Sequence, residues 1–218
     1  MTAPRLLPPA VALPDLPARV PRQGYPRWMR VGGRAVLRAL GWRFVGGFAD
    51  VPRFVLVGAP HTSNWDGVVG LAAAAAADVE FNLFAKRPLF VGPLGALLRA
   101  FGGIPVDQGV PGGLVGRAVR ALDEGDARVV VLTPEGTRGR VGAWRTGFHR
   151  IAVEAGVPVA VGIIDWGRRE IGVAGTVVPS GDLDADLGAI GALYAGVRGR
   201  RPDRQTLPPP GRPAPAGE

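Results

Sequence analysis

Between an apolar run and an alanine-rich stretch the chain reads GAPHTSNWDG, which places His61 five residues before Asp66. An imidazole and a carboxylate are the pair that general-base chemistry needs. The carboxylate holds one ring nitrogen, and the other is left free to accept a proton near neutral pH. Such a base can take the proton of a hydroxyl as its oxygen attacks an acyl group. On one continuous helix residues five apart lie about 140° apart around the axis, so His61 and Asp66 meet only if a turn divides them. Pro60 and the Thr62-Ser63-Asn64 run supply that turn. A second arrangement fits the same residues: Ser63-x-x-Asp66 is the pattern of a capping box at a helix N-terminus, with His61 packed behind it. Spacing leaves both open.

Two further segments carry unusual chemistry. In VVVLTPEGTRG, Pro134 stops an apolar run, Gly136 allows close backbone approach to a ligand, and Arg138 offers a planar fork suited to phosphate. A surface turn in which Glu135 pairs with Arg138 would use the same residues. In FGGIPVDQG a Gly-Gly entry leads through a short apolar run to Asp107 and Gln108, a weak signal when taken alone.

These segments need elements to hold them, and the hydrophobic pattern supplies a set. Strands are expected over 54–57, 81–85, 103–107, 128–133 and 157–164, with helices over 65–77, 89–101, 113–123 and 147–155. Two more short strands and a helix near 183–197 follow. Strands alternating with helices imply an α/β fold: a single domain with a mixed, largely parallel sheet flanked by helices. In such sheets the working residues gather in loops beyond the carboxyl ends of strands, which is where all three segments fall. The Pro-rich stretches 1–26 and 201–218 are expected to be disordered tails around a domain over 27–200. Residues 1–20 lack the compact apolar core of a secretory signal, and no run is long and apolar enough for a transmembrane helix.

Composition narrows the possible functions. Cysteine is absent and histidine occurs twice, so a thiolate zinc site is excluded and no metal site is expected. The net charge is +8, but residues 1–53 carry +7, residues 198–218 carry +3 and the stretch between them −2. A nucleic-acid reader concentrates its charge on the folded reading surface, so no nucleic-acid partner is expected. Arg27, Arg30, Arg34 and Arg38 follow a 3-4-4 spacing that aligns them on one helical face, with Trp28, Met29, Val36, Ala39 and Leu40 on the remaining arc. That pattern suits a helix lying on an anionic membrane surface, or an ordinary amphipathic helix covering the core; Gly32-Gly33 weakens either. His149, near Arg145 and Arg150, reads as an exposed or structural histidine.

Taken together and in order, the segments resemble the glycerolipid acyltransferase family, typified by 1-acylglycerol-3-phosphate acyltransferases, and its short bacterial branch in particular. His61-x-x-x-x-Asp66 resembles the family's catalytic block, FGGIPVD its second, PEGTR its third and GVPVAVGII its fourth, within a likeness that runs over about 40–194. The resemblance implies a lipid O-acyltransferase of phospholipid biosynthesis or remodelling. In it His61 is the base, oriented by Asp66, and acyl-CoA or acyl-carrier protein is the co-substrate, with no other cofactor. Glu135, Gly136 and Thr137 would shape the acceptor pocket, and Arg138 would bind an acceptor phosphate. Lys86, the only lysine in the chain, matches the lysine that precedes the helix leading to the second block. Where the family continues that block Asp-Arg, this chain has Asp107-Gln108. Either the acceptor lacks a phosphomonoester, as a glycolipid or ornithine-type lipid would, or Arg138, Arg145 and Lys86 compensate. A lipid acceptor further implies a cytoplasmic enzyme held peripherally on the inner face of the cell membrane. Leu94, Leu97, Leu98 and Phe101 would then touch the membrane, line an acyl groove or pack in the core. The alternative outside enzymology is a basic membrane- or nucleic-acid-binding protein without catalysis.

Overall fold

A computed structural model describes residues 3–7, 9, 12–80, 82–106, 113–125 and 128–208. Among the described residues eight strands form one mixed sheet: β1 (Arg5–Leu7), β2 (Arg43–Gly46), β3 (Phe54–Ala59), β4 (Asn82–Lys86), β5 (Ile104–Val106), β6 (Val129–Leu132), β7 (Val159–Asp165) and β8 (Glu170–Val178). Six α-helices accompany them among the same residues: α1 (Arg27–Ala39), α2 (Asn64–Ala77), α3 (Gly92–Ala100), α4 (Gly113–Glu124), α5 (Gly147–Glu154) and α6 (Leu183–Leu193).

The spatial order is β1-β8-β7-β3-β6-β4-β5, and β7, β3, β6, β4 and β5 all run parallel. β8 turns back antiparallel on β7. Strand β3 lies at the centre because FVLVGA can be buried on both sides. Val55 and Val57 face Leu122, Phe148, Ile151 and Tyr194, whereas Phe54 and Leu56 face Leu16, Phe48, Ala74 and Ala77. This is the period of two that a strand imposes. Its neighbours end level with it, Val57 opposite Leu132 of β6 and Ala59 opposite Ile163 of β7. The loops after these three strands therefore converge on one side of the sheet.

Helix α2 packs closely because its side chains are small. A Cβ on Gly33 of α1 would lie 2.5 Å from the Ala72 carbonyl oxygen, so Gly33 is what lets α1 settle against the alanine run. The expected weakness of the Gly32-Gly33 pair is thus offset by close contact between helices. The arginine row on α1 is also partly used within the fold: Arg34 Nε donates to the Ala76 carbonyl, and Arg30 lies 3.7 Å from Asp78 at the end of α2.

Most expected elements are present, with shifts of one or two residues at their ends, except that α6 stops four residues before the expected end at 197. The helix expected over 89–101 is divided into a 3₁₀ turn over Arg87–Phe90 and α3, which starts at Gly92-Pro93, where proline favours a first helical turn. Strands β1 and β2 were not expected, and the two short strands anticipated near the end are one nine-residue strand, β8.

The expectation of disordered tails needs correction over 12–26 and 201–208; residues 1, 2, 8, 10, 11 and 209–218 lie outside the described residues. Leu16, Val20 and Tyr25 are buried, and the Asp50 and Asp78 carboxylates accept the backbone N–H groups of Arg19 and Tyr25 at 2.8 Å each. Proline excludes regular structure from this stretch, but side-chain acceptors satisfy its backbone instead. At the other end, Gln205 accepts from the Gly199 N–H and donates to the Val197 carbonyl, and the Thr206 carbonyl takes the Trp144 indole N–H at 2.7 Å.

Candidate active site

The chain leaves β3 through Pro60, and Ser63 starts α2 as its N-cap. Ser63 Oγ accepts the Trp65 N–H, and Asp66 Oδ2 accepts the N–H groups of Thr62 and Ser63 at 2.7 Å each. This is the capping box. The same Oδ2 lies 3.6 Å from His61 Nδ1, so Asp66 both caps the helix and faces the imidazole. That separation is longer than a hydrogen bond but within reach of an ion pair. The other carboxylate oxygen, Oδ1, accepts the Trp166 indole N–H at 2.7 Å, from the residue that follows β7. Asp66 is buried and held on both oxygens, which fixes the direction it presents to His61.

Burial lowers the His61 pKa below its ordinary 6.5, Asp66 opposes this, and Arg138 adds to the lowering. The imidazole is therefore neutral at physiological pH and free to act as a base. Glu135, at the end of β6, is buried, and its Oε2 accepts the His61 backbone N–H. Burial pushes its pKa from 4.5 up to about 7, against the lowering pull of the His61 and Thr206 backbone N–H groups and with a smaller rise from Asp66. Glu135 thus ties the β6 loop to the β3 loop from beneath. Arg138 reaches across above it and donates to Asn64 Oδ1.

Two cavities meet at this point. One, of about 510 Å³, is walled mainly by Leu56, Leu71, Val131, Ile163 and Val173, and has His61, Asp66 and Arg138 in its lining. The other, a cleft of about 530 Å³, lies over the start of α2 and is lined by Arg138, Arg200, Arg201 and Arg204. Asn64 and Arg138 belong to both. An apolar chamber thus joins a strongly cationic cleft beside a neutral histidine.

A sequence model of the Acyltransferase family matches residues 46–163, more than half of the chain. The chain belongs to the acyltransferase family. The acyltransferase is also similar in structure to PlsC, the 1-acyl-sn-glycerophosphate acyltransferase of Thermotoga maritima, whose crystal structure it matches with a TM-score of 0.51 and 19% identity over 78% of this chain and 75% of that one. That likeness shows the fold, an α/β domain with a sheet flanked by helices. No curated protein matches the acyltransferase significantly by sequence.

Of the residues singled out in the sequence, the acyltransferase brings together His61, Asp66, Glu135 and Arg138. Gly136 and Thr137 are exposed, and Thr137 Oγ1 accepts the Gly139 N–H at 3.3 Å. Gly136 has a φ of +64°, and a Cβ there would come within 2.9 Å of Arg145 Nε, so Arg145 covers this turn. Lys86 closes β4, two strands from β3, opposite Val106 of β5. Asp107 and Gln108 lie outside the described residues. His149 is buried and bonded at 2.7 Å to Asp186, away from the cavities, as a structural histidine. Leu97 is exposed, Leu98 lines the apolar cavity, and Phe101 packs on Tyr25.

Sequence reasoning missed Trp166 and the arginines beyond residue 199. The strand-end rule that singled out the other segments applies equally to IIDWG after β7, and it would have found Trp166. The arginines carried no such signal: Arg200 was the last residue of the expected domain, and Arg201 and Arg204 sat in a segment read as a tail.

Proposed function

We propose that this acyltransferase moves a fatty-acyl group from acyl-CoA or acyl-carrier protein to a hydroxyl of a lysophospholipid or glycerol-phosphate acceptor, working on the inner face of an anionic membrane. The observation that carries this reading is the place of His61: in the wall of an apolar chamber fit for an acyl chain, beside a cationic cleft fit for a polar headgroup. His61 takes the proton of the acceptor hydroxyl, and the oxygen attacks the thioester carbonyl. The tetrahedral intermediate collapses with loss of the thiolate, which receives the proton from the imidazolium. Asp66 holds the ring and stabilises its transient charge.

The membrane part of the proposal is supported by α1, where Trp28 is 74% exposed and Val31 56% exposed on a helix that also carries Arg27 and Arg38. Among the described residues no helix is long and apolar enough to cross a membrane.

His61→Ala tests the chemistry. A placed base contributes roughly 10²- to 10⁴-fold, so the purified variant, with an unchanged circular dichroism spectrum, is expected to lose at least about a hundredfold in transfer of labelled acyl groups. Turnover near that of the parent would rule out His61 as the base. Gln108, where the resemblance leads one to expect arginine, favours a second reading with the same chemistry and an acceptor lacking a phosphomonoester. Comparing lysophosphatidate with lysolipids of that kind separates the two.

A further inference from the structure

Three of the four arginines of the cationic cleft come from a segment outside the family match. After α6 the chain returns over the site and is fastened there. The Trp166 N–H donates to the Arg198 carbonyl at 2.8 Å, and the Arg201 N–H to Thr62 Oγ1 at 3.2 Å, while Thr206 Oγ1 donates to the Val141 carbonyl at 2.7 Å. Gly199 fits closely against Pro60 and Thr62, where a Cβ would come within 3.0 Å of the Thr62 side chain. The guanidinium of Arg200 lies over two indoles, 5.2 Å from Trp65 and 4.9 Å from Trp166, and it fills the space between the start of α2 and the residue that holds Asp66. Arg201 and Arg204 complete a wall that contains four arginines and no carboxylate; Asp203 lies 3.9 Å from Arg204, and Asp66 is taken up by the N–H groups of Thr62 and Ser63.

Four like charges around one cleft repel each other unless an anion lies between them, and the positive end of the α2 dipole faces the same space. Guanidinium forks match the geometry of phosphate oxygens. We propose that Arg200, Arg201 and Arg204 form, with Arg138, a binding site for a substrate phosphate beside His61. The phosphate belongs either to the acceptor headgroup or to the donor's nucleotide end. Only this last assignment rests on the acyl-transfer reading; the anion site does not.

Titration calorimetry on the full chain tests the site, with glycerol 3-phosphate and adenosine 3′,5′-bisphosphate as separate probes. Arg201→Gln/Arg204→Gln is the variant of choice, because Arg200 also supports Trp166 and its loss would disturb Asp66. At least one probe is expected to bind the parent chain, to weaken as salt rises, and to lose about tenfold or more in affinity in the variant. Binding of glycerol 3-phosphate alone assigns the cleft to the acceptor, and binding of the bisphosphate alone assigns it to the donor. Failure of both probes to bind the parent, or equal affinity in a folded variant, overturns the proposal. If the double variant does not fold, Arg204→Gln alone is expected to lose about threefold or more, and equal affinity there overturns it as well. Phosphate binding that depends on the arginines in a chain without transfer activity would leave the site standing and remove the acyl-transfer reading.

Discussion

Replacing Glu135 by glutamine isolates one buried ionisation. The carboxyl accepts the His61 backbone N–H, a role that the glutamine carbonyl oxygen can keep, so the substitution removes titration while preserving the link between the β3 and β6 loops. In the folded chain the Glu135 pKa rises from 4.5 to about 7. The folded state therefore binds this proton more tightly than the unfolded state. The resulting stabilisation is complete below about pH 4.5 and is lost as pH climbs to about 7, since stability falls with pH wherever the native state holds more protons. A separation of about two and a half pKa units corresponds to roughly 3 kcal/mol. Glutamine does not titrate. The stability of Glu135→Gln minus that of the parent should accordingly increase by roughly 3 kcal/mol between pH 4.5 and 7.5, and then level off. Urea unfolding of both chains at four pH values across that range measures the difference, and subtraction cancels the other titrating groups. A difference that stays flat, or declines with pH, would show that Glu135 ionises like a solvated carboxylate and that the base of the site is wetter than its burial indicates.

Three other outcomes are expected. Trp166→Phe removes the indole N–H from Asp66 Oδ1 but keeps an aromatic face for Arg200; hydrogen bonds to charged groups are worth about 1.5–3 kcal/mol, so kcat should fall by about tenfold or more while KM changes little. An unaltered kcat would mean that Asp66 needs no support from β7. Gly33→Val forces a side chain into the Ala72 carbonyl, and overpacking of this kind costs about 1–3 kcal/mol, so thermal unfolding should move down by several degrees. Because burial and Arg138 lower the His61 pKa, the acid limb of kcat/KM should lie below pH 6.5, and Arg138→Gln should move it upward. A limb that stays in place in that variant would separate Arg138 from the base.

The centre of the fold was legible because it obeys local rules. Phe54 to Val57 alternate between two cores, Pro60 and Ser63 mark a turn and a cap, and Pro134 ends β6 beside them. What escaped depends on contacts distant in sequence. The Trp166 indole reaches Asp66 across one hundred residues, and the Arg201 N–H reaches Thr62 across 139. Proline-rich composition hid the order of both ends: it correctly excluded helices around Leu16 and Val20, but it gave no sign that these side chains would fill a gap above β3. Glu135 was expected to shape a pocket for the acceptor; that its carboxyl also accepts the His61 backbone N–H could not be read from the sequence, because only the pairing of β3 with β6 brings the two together.

The ends of the sheet have a consequence for behaviour in concentrated solution. On one side the outer margin of β8 is occupied by β2 along Glu170–Val173 and by β1 along Thr176–Val178. On the other, β5 has three residues, and Pro105 in its middle has no amide hydrogen to offer a newcomer. Among the described residues the outer strands are therefore short, three residues in β1, four in β2 and three in β5, and short edges give a second molecule little ladder to extend. When crowded in solution, this protein is thus disfavoured from growing a fibre by strand addition, and the few residues of β1 help guard against that outcome.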